Sequence, residues 1–502
     1  MKRRIALWVL LGLFLVRCSD NTSFMESPAE FQELIPKSDI DEFIQKAWVE
    51  QNDFNWGMVS DEMLWSALRH GGDVLTVGYQ PEGEGDISGK MHSLSVRSKA
   101  WIEAKNDVLQ RAVDVINRDG DASVNVQQIL LRDHDVLPYV EIRTSDFELV
   151  KQLRKMPNVR YVEPIGYEAD FWKQAQTSKV ESGSGCGNNP AGSISSSDFV
   201  TVSPNARASF SYDFMSIRSA WNLSTGRGIT VGLIDTGVSS SQSRLGSNFN
   251  SGSSSGRFIQ KYGFYKGDGS NDKCGHGTQM AGVIASPRSF NGAPVGVAYN
   301  CNLVSARGTS DVIVNSGSEK TGVSDALVFY GNRSDIKVIS MSIGDVFSSG
   351  KVKDAVRYAH GRGKLIFAAA GTSTSFTNWW GVIFPANMSE TVAVTGIKDS
   401  GYTRCSNCHD GSKVDFAVVM QRASSSSRVP LTLANSGDTP SRVGGSSVAT
   451  ATMAGTAALV WARNPSQSRN QVLQRLKNAS QFYPSRSSKF GWGIVNAYNA
   501  VR

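Results

Sequence analysis

The chain has 502 residues, 40% of them hydrophobic, and carries 52 Lys and Arg against 45 Asp and Glu, for a formal net charge of +7. This length allows about three domains and a large buried core, which excludes a disordered or fibrous polypeptide. The positive charge comes with no long basic run and no stripe of aromatics among Lys and Arg, so nucleic acid is not an expected partner.

Lys2-Arg3-Arg4 precede an apolar stretch over residues 5–16, too short to span a bilayer but suited to a secretory signal. Residues 1–18 therefore read as a signal peptide and the protein as exported, either secreted or held at the bacterial cell envelope. Cys18 resembles the lipidated cysteine of bacterial lipoproteins, with Arg17 where a small residue is usual. A membrane attachment through Cys18 and a signal cut nearby are both open. Residues 19–72 form an N-terminal extension with some helical pattern, including Phe43, Ala47 and Trp48, and no legible chemistry.

Residues 73–170 read as a small α+β domain. Strand 74–80 is followed by helix 98–116, with Trp101, Val108, Leu109, Ala112, Val115 and Ile116 on one face, then strands 126–131 and 137–142, helix 145–155 and strand 159–162. The order β-α-β-β-α-β is the ferredoxin-like arrangement. Over 171–205 the composition shifts to Ser, Gly and Asn, as in Glu181-Ser182-Gly183-Ser184-Gly185, which marks a linker.

Residues 206–502 alternate strand and helix patterns: strands at 229–234, 303–306, 336–341, 364–369 and 392–395, helices near 321–330 and 352–358. Such alternation means an α/β fold with a parallel sheet flanked by helices. Three segments sit where this sheet hands over to helices or loops. Asp235-Thr236-Gly237 closes an apolar run, His276-Gly277-Thr278 precedes Met280, Val283 and Ile284 at helical spacing, and Gly445-Ser446-Ser447-Val448-Ala449 opens a helix of small residues. The carboxyl ends of parallel strands line one crevice, so the three can meet there. They supply a carboxylate, a base and a hydroxyl nucleophile. A serine hydroxyl is a weak nucleophile at neutral pH, so an imidazole must take its proton and a carboxylate must orient the imidazole.

Two other readings compete. Asp-Thr-Gly is also an aspartic-protease tripeptide, and Asp399-Ser400-Gly401 offers a second, but those enzymes are mainly β and the alternation here is not. Cys405-Ser406-Asn407-Cys408-His409 fits the pattern of covalent haem attachment. No second haem cue accompanies it, and a small-loop disulfide or thiols paired elsewhere is the preferred account. With Cys18 set aside, five cysteines remain, Cys186, Cys274, Cys301, Cys405 and Cys408, so at least one is unpaired within the chain. Cys274 and Cys301 fall at opposite edges of the sheet, about 15 Å of helix apart, beyond the roughly 7 Å that a disulfide bridges.

The segments 232–237, 275–278 with Ala281-Gly282, and 445–449 with Ala454-Gly455 resemble the subtilisin-like serine proteases, in that family's order Asp, His, Ser. Weaker matches lie at 338–344 and 491–497. The resemblance implies a serine endopeptidase acting on polypeptides, with Asp235, His276 and Ser447 as its triad. It further implies that the Ser447 amide and Thr372 hold the oxyanion, and that Ser342, Ile343, Gly344, Ala369, Ala370 and Gly371 flank the substrate backbone as added strands. Thr372 departs from the asparagine usual there, and Ala451 from a proline after the nucleophile. Residues 73–170 are similar to the propeptides of this family, so the chain is expected as a zymogen whose own propeptide is a partner, first cut between Phe171 and Trp172 beside an apolar pocket. The family requires no cofactor for catalysis. Structural calcium occurs in it, yet residues 287–292 bring too few oxygen ligands to mark a site, and no metal ligand is assigned. The rival from another class is a weakened pseudoprotease that binds peptides on the same fold.

Overall fold

A computed structural model describes residues 33–51, 53–118, 123–171, 185–187, 190–372 and 381–502. The signal segment, Cys18, Trp172 and the run 181–184 lie outside these residues.

The N-terminal region builds a four-stranded antiparallel sheet from β1 Val74–Tyr79, β2 Leu130–Asp133, β3 Tyr139–Arg143 and β4 Val159–Pro164, in the order β2-β3-β1-β4. Helices Lys99–Ile116 and Phe147–Lys155 supply the two crossovers, which completes the expected ferredoxin-like order. One expected strand differs. Val126–Ile129 is a helical turn, because Asn125 and Gln128 form a reciprocal capping box that satisfies the turn's amides, and the strand starts only at Leu130.

No break falls at residue 72. Helices Lys37–Gln51 and Asp61–His70 bury Ile44, Trp48, Leu64 and Leu68 in the same apolar core as Leu75 and Val77 of β1. That core continues into Val323, Leu327, Ala355 and Val356 on two helices of the C-terminal region, Gly317–Asn332 and Gly350–Gly361.

The linker is also shorter than its composition suggests. β5 Phe199–Val202 already pairs with β6 Ala206–Ser209, and the fully buried Asp198 accepts from Arg428 at 3.0 Å and Arg442 at 3.2 Å.

The C-terminal region carries a seven-stranded parallel sheet of β7 Thr230–Asp235, β8 Ile259–Gly263, β9 Asn302–Arg307, β10 Ile336–Met341, β11 Leu365–Ala369, β12 Val392–Lys398 and β13 Phe416–Gln421. Its order, β13-β12-β11-β10-β7-β9-β8, reverses direction at β7. Such a reversal opens a crevice at the carboxyl ends of β7 and β10. Helix Gly445–Arg463 is buried along almost its whole length, and its alanines, threonines and glycines let it pack closely on the sheet.

Polar contacts join the two regions. Arg160 of β4 forms a two-pronged pair with Asp354 at 2.8 and 2.7 Å, Lys351 donates to Glu141 at 2.6 Å, and Trp48 Nε1 donates to the Val346 carbonyl at 2.9 Å. Helix Gly350–Gly361 receives no cap from its own Ser349 side chain; the Glu163 carboxyl accepts from the Gly350 amide, both oxygens at 2.9 Å. A carboxylate suits that position because the first-turn amides lack intrahelical acceptors.

The Arg160–Asp354 pair yields a test of this docking, since Asp354 is 1% exposed and Arg160 is 12% exposed. Removing one partner of a buried pair leaves an uncompensated charge and costs about 3–5 kcal/mol, whereas replacing both is far milder. Asp354 also keeps the Tyr161 hydroxyl at 3.2 Å and Arg357 at 3.9 Å, so Arg160→Met is expected to destabilise the full chain in urea unfolding by less than that amount, and Arg160→Met with Asp354→Leu to recover most of the loss.

Candidate active site

Asp235 ends β7 and His276 begins the helix His276–Ala285, and neither side chain is exposed to solvent. His276 Nδ1 lies 2.8 Å from Asp235 Oδ1, which also accepts from the Thr236 amide at 2.8 Å. A carboxylate oxygen can only accept, so Nδ1 carries the hydrogen, and in the neutral ring Nε2 is the acceptor. Among the described residues Nε2 has no hydrogen-bond partner.

The two turns come this close because Gly277 has no side chain. A Cβ there would stand 2.2 Å from the Gly237 carbonyl oxygen. Asp272, 5% exposed, then ties them together. Its Oδ1 accepts from the Thr236 hydroxyl at 2.9 Å and from the Cys274 and Gly275 amides at 3.0 and 2.6 Å. Its Oδ2 accepts from the Thr278 amide at 2.8 Å and hydroxyl at 2.7 Å. Reading the motifs alone misses this residue; its signal is an acid four positions before His276.

Burial opposes a charged His276, but the Asp235 carboxylate outweighs it, helped by Asp272 and Asp311, and holds the imidazole pKa above its usual 6.5.

Ser447 lies in the first turn of helix Gly445–Arg463, whose amides have no intrahelical acceptor. It meets the crevice through Ser342, the residue after β10, whose Met341 is in register with Ile234 of β7. Ser342 Oγ donates to the Ser447 carbonyl at 2.8 Å, and Ser447 Oγ donates to the Ser342 carbonyl at 3.4 Å. The second bond is long and weak. Asp235 and His276 are thus brought together, while the Ser447 hydroxyl turns to Ser342 and leaves Nε2 open. Ser446, the other hydroxyl of this turn, is fully buried and held by the Gly371 amide at 3.3 Å and the Thr372 hydroxyl at 2.8 Å. The Ser446 hydroxyl is thus engaged within the chain, while that of Ser447 makes only the weak bond to Ser342.

Thr372 stands at the same sheet edge, past β11, with its hydroxyl also accepting from the Ser446 amide at 3.3 Å. The other expected substrate-flanking residues are engaged within the chain. Gly344 donates to Val312 at 3.1 Å and accepts from Val314 at 3.0 Å; Ala370 donates to Val394 at 2.9 Å and accepts from Ile383 at 3.0 Å; the Gly371 carbonyl accepts from His409 at 3.0 Å. A peptide strand can add at Gly344 only by displacing residues 312–314. Ile343, between the two, is buried.

Cys186 pairs with Cys274, Cys405 pairs with Cys408, and Cys301 is a free buried thiol. Haem attachment at Cys405 and Cys408 is therefore ruled out in this state, both sulfurs being bonded to each other. Among the described residues one trio of candidate metal ligands clusters, Cys186, Cys274 and Asp311, and its two sulfurs are joined in the disulfide. Residues 287–292 contain no acidic side chain, and Asn291 Nδ2 donates to Asp438 at 3.1 Å.

A model of the subtilase family matches residues 226–493. The chain is 32% identical over 280 residues to the alkaline protease of Alkalihalobacillus alcalophilus, a match that covers 55% of this chain and 65% of that protein. It is also 32% identical over 280 residues to subtilisin Savinase of Lederbergia lenta, covering 55% of this chain and 92% of that one. The crystal structure of MycP1 from Mycobacterium smegmatis matches with a TM-score of 0.47 and 19% identity, over 63% of this chain and 88% of that chain. The chain thus spans just under two thirds of the alkaline protease and nearly all of subtilisin Savinase, and its family match takes in more than half of its own residues. With a carboxylate-oriented imidazole at the switch point of a parallel sheet and this likeness along residues 226–493, the chain belongs to the subtilase family of subtilisin-like serine proteases.

Proposed function

We propose that the protein is an exported serine endopeptidase, made as a zymogen, that hydrolyses peptide bonds through Asp235, His276 and Ser447. The observation that carries this reading is the buried 2.8 Å contact between His276 Nδ1 and Asp235 Oδ1, with Nε2 free to accept a proton. Ser447 Oγ attacks the scissile carbonyl while Nε2 takes its proton, and Asp235 stabilises the imidazolium that forms. The Ser447 amide, with the Thr372 hydroxyl once it leaves Ser446, donates to the oxygen on which charge develops. The proton later passes from Nε2 to the leaving amine.

The zymogen part of the reading is supported by the N-terminal region docked through Arg160, Glu163 and Trp48, and by residues 312–314 paired on Gly344, where a substrate strand would add. Phe171 is 7% exposed and packs on Phe347, ring centroids 6.3 Å apart, so a cut after it requires that contact to open first. Export rests on the sequence pattern of residues 1–18, and attachment through Cys18 is an extension of it. Among the described residues no helix is long and apolar enough to cross a membrane.

The pseudoprotease reading draws on one observation, the Thr372 hydroxyl engaged with Ser446 where the family places an asparagine amide. Labelling by a serine-reactive fluorophosphonate separates the two: labelling supports the enzyme, and its absence supports the pseudoprotease.

Ser447→Ala is expected to abolish labelling, peptide hydrolysis and self-processing without unfolding the chain. The expected loss is on the order of 10⁶-fold in turnover, the size seen on removing the serine of a subtilisin triad. Full activity in Ser447→Ala with loss in Ser446→Ala would overturn the assignment.

The pH profile is a second check. The base works only as neutral imidazole, so kcat/KM falls as pH drops through the raised His276 pKa, which puts the acid limb above 6.5. Asp311→Asn removes one of the charges that raise it, and the limb should move toward lower pH. An unmoved limb would show that Asp311 does not reach the imidazole electrostatically.

A further inference from the structure

The Cys405-Ser406-Asn407-Cys408-His409 motif binds no haem, and its placement gives it another task. The loop leaves β12 and folds back at once. The Cys405 amide donates to the Gly396 carbonyl at 3.0 Å, and Cys408 donates to the Cys405 carbonyl at 3.1 Å. Its disulfide lies flat on β12, where a Cβ on Gly396 would stand 2.6 Å from Cys408 Sγ. Cys408 then pairs with Thr372 in an antiparallel bridge, and the next amide, His409, donates to the Gly371 carbonyl at 3.0 Å.

His409 adds a second hold. Its ring is 2% exposed, and Nδ1 donates to the Gly381 carbonyl at 2.9 Å. One residue therefore holds both the Gly371 and the Gly381 carbonyls. The ring also packs against Gly371, which adopts φ +124°; a Cβ there would lie 2.3 Å from Nδ1. Burial pushes the His409 pKa down to about 4, so the ring stays neutral and keeps one N–H to donate. On their other side Gly371 and Thr372 hold Ser446, the residue before the nucleophile.

We propose that His409, held by the Cys405–Cys408 loop, is a positioning residue that fixes the Gly371–Thr372 backbone against the Ser446-Ser447 turn and so sets the oxyanion side of the site. This rests on the reading that Thr372 and the Ser447 amide flank the developing charge. His409 touches no substrate; it acts through Gly371. The charge it serves exists only after Ser447 Oγ bonds to the carbonyl carbon, the π pair moves onto oxygen and the serine proton passes to His276. Losing His409 should therefore slow the chemical step and leave ground-state binding alone.

The test compares the full chain, after any self-processing, with His409→Ala, His409→Asn and Cys405→Ser/Cys408→Ser. Each is assayed for kcat and KM and for inhibition by a peptide aldehyde, which forms a tetrahedral adduct on serine, and by the matching peptide alcohol, which forms none. His409→Ala should lose kcat on the order of 10- to 100-fold, short of the 10²–10³ for complete loss of an oxyanion donor, with KM within about twofold. The aldehyde should weaken by the same factor and the alcohol not at all. His409→Asn, which retains an amide donor, should recover most of the loss, and the double serine variant should behave like His409→Ala. Unchanged kcat and aldehyde affinity would overturn the proposal, as would equal weakening of aldehyde and alcohol, the mark of a general disturbance of the cleft. Should His409→Ala not fold, the double serine variant carries the same expectations and refutations. Failure of the protease reading itself shows separately, as a chain that neither labels with the fluorophosphonate nor hydrolyses peptides, or as hydrolysis that survives Ser447→Ala.

Discussion

The meeting of Asp235 and His276 depends on the carboxylate of Asp272. A buried carboxylate is tolerable only when its lone pairs are met by donors. Here five donors from Thr236, Cys274, Gly275 and Thr278 converge on it, and they come from both sides of the site. Thr236 follows the aspartate at the end of β7, while Thr278 sits in the first turn of the His276 helix. One side chain thus sets the spacing of two chain segments some forty positions apart. The Thr236 hydroxyl passes the constraint on by accepting from the Gly277 amide at 2.9 Å. The imidazole needs no search to find its carboxylate, because the backbones carrying them are already joined.

The sheet supplies the coarser order. Parallel strands put Asp235, Ser342 and the end of β11 at one edge, and the first turn of helix Gly445–Arg463 brings Ser447 to Ser342 there. The two helices that receive the N-terminal region, Gly317–Asn332 and Gly350–Gly361, flank the same strands. The core that receives the N-terminal region thus also includes Ile234 and Met341, at the ends of β7 and β10.

Much of this was legible in the sequence. Periodicity placed β7, β9, β10 and β11 within a residue, and the start of β12, because buried strands of Val, Ile and Ala leave little ambiguity, but it did not show β8 or β13; of the three motifs, the first two hold residues that the fold brings together, Asp235 and His276. What stayed hidden depended on distant partners or on local capping. The Asn125 and Gln128 side chains turned a β-branched segment into a helical start. Asp198 looked like linker until arginines more than two hundred positions away closed on it. The partner of Cys274 could not be counted out, since spacing carries no geometry across a region of Ser and Gly. The backbone of Gly344 looked like a free edge, and only the fold shows residues 312–314 lying along it.

The Cys186–Cys274 bond has a topological effect on any cut in the stretch between the two regions. Cys186 lies on the N-terminal side of β5 and is fastened two residues before His276. A backbone break between 187 and 198 therefore yields two polypeptides that are still one molecule, the N-terminal region covalently attached to the turn before the base. A tethered domain faces its own docking surface at an effective concentration on the order of millimolar, so it cannot be diluted away. Only a break upstream of Cys186 sets that region free, and the position of the cut, more than its occurrence, decides whether the two halves part.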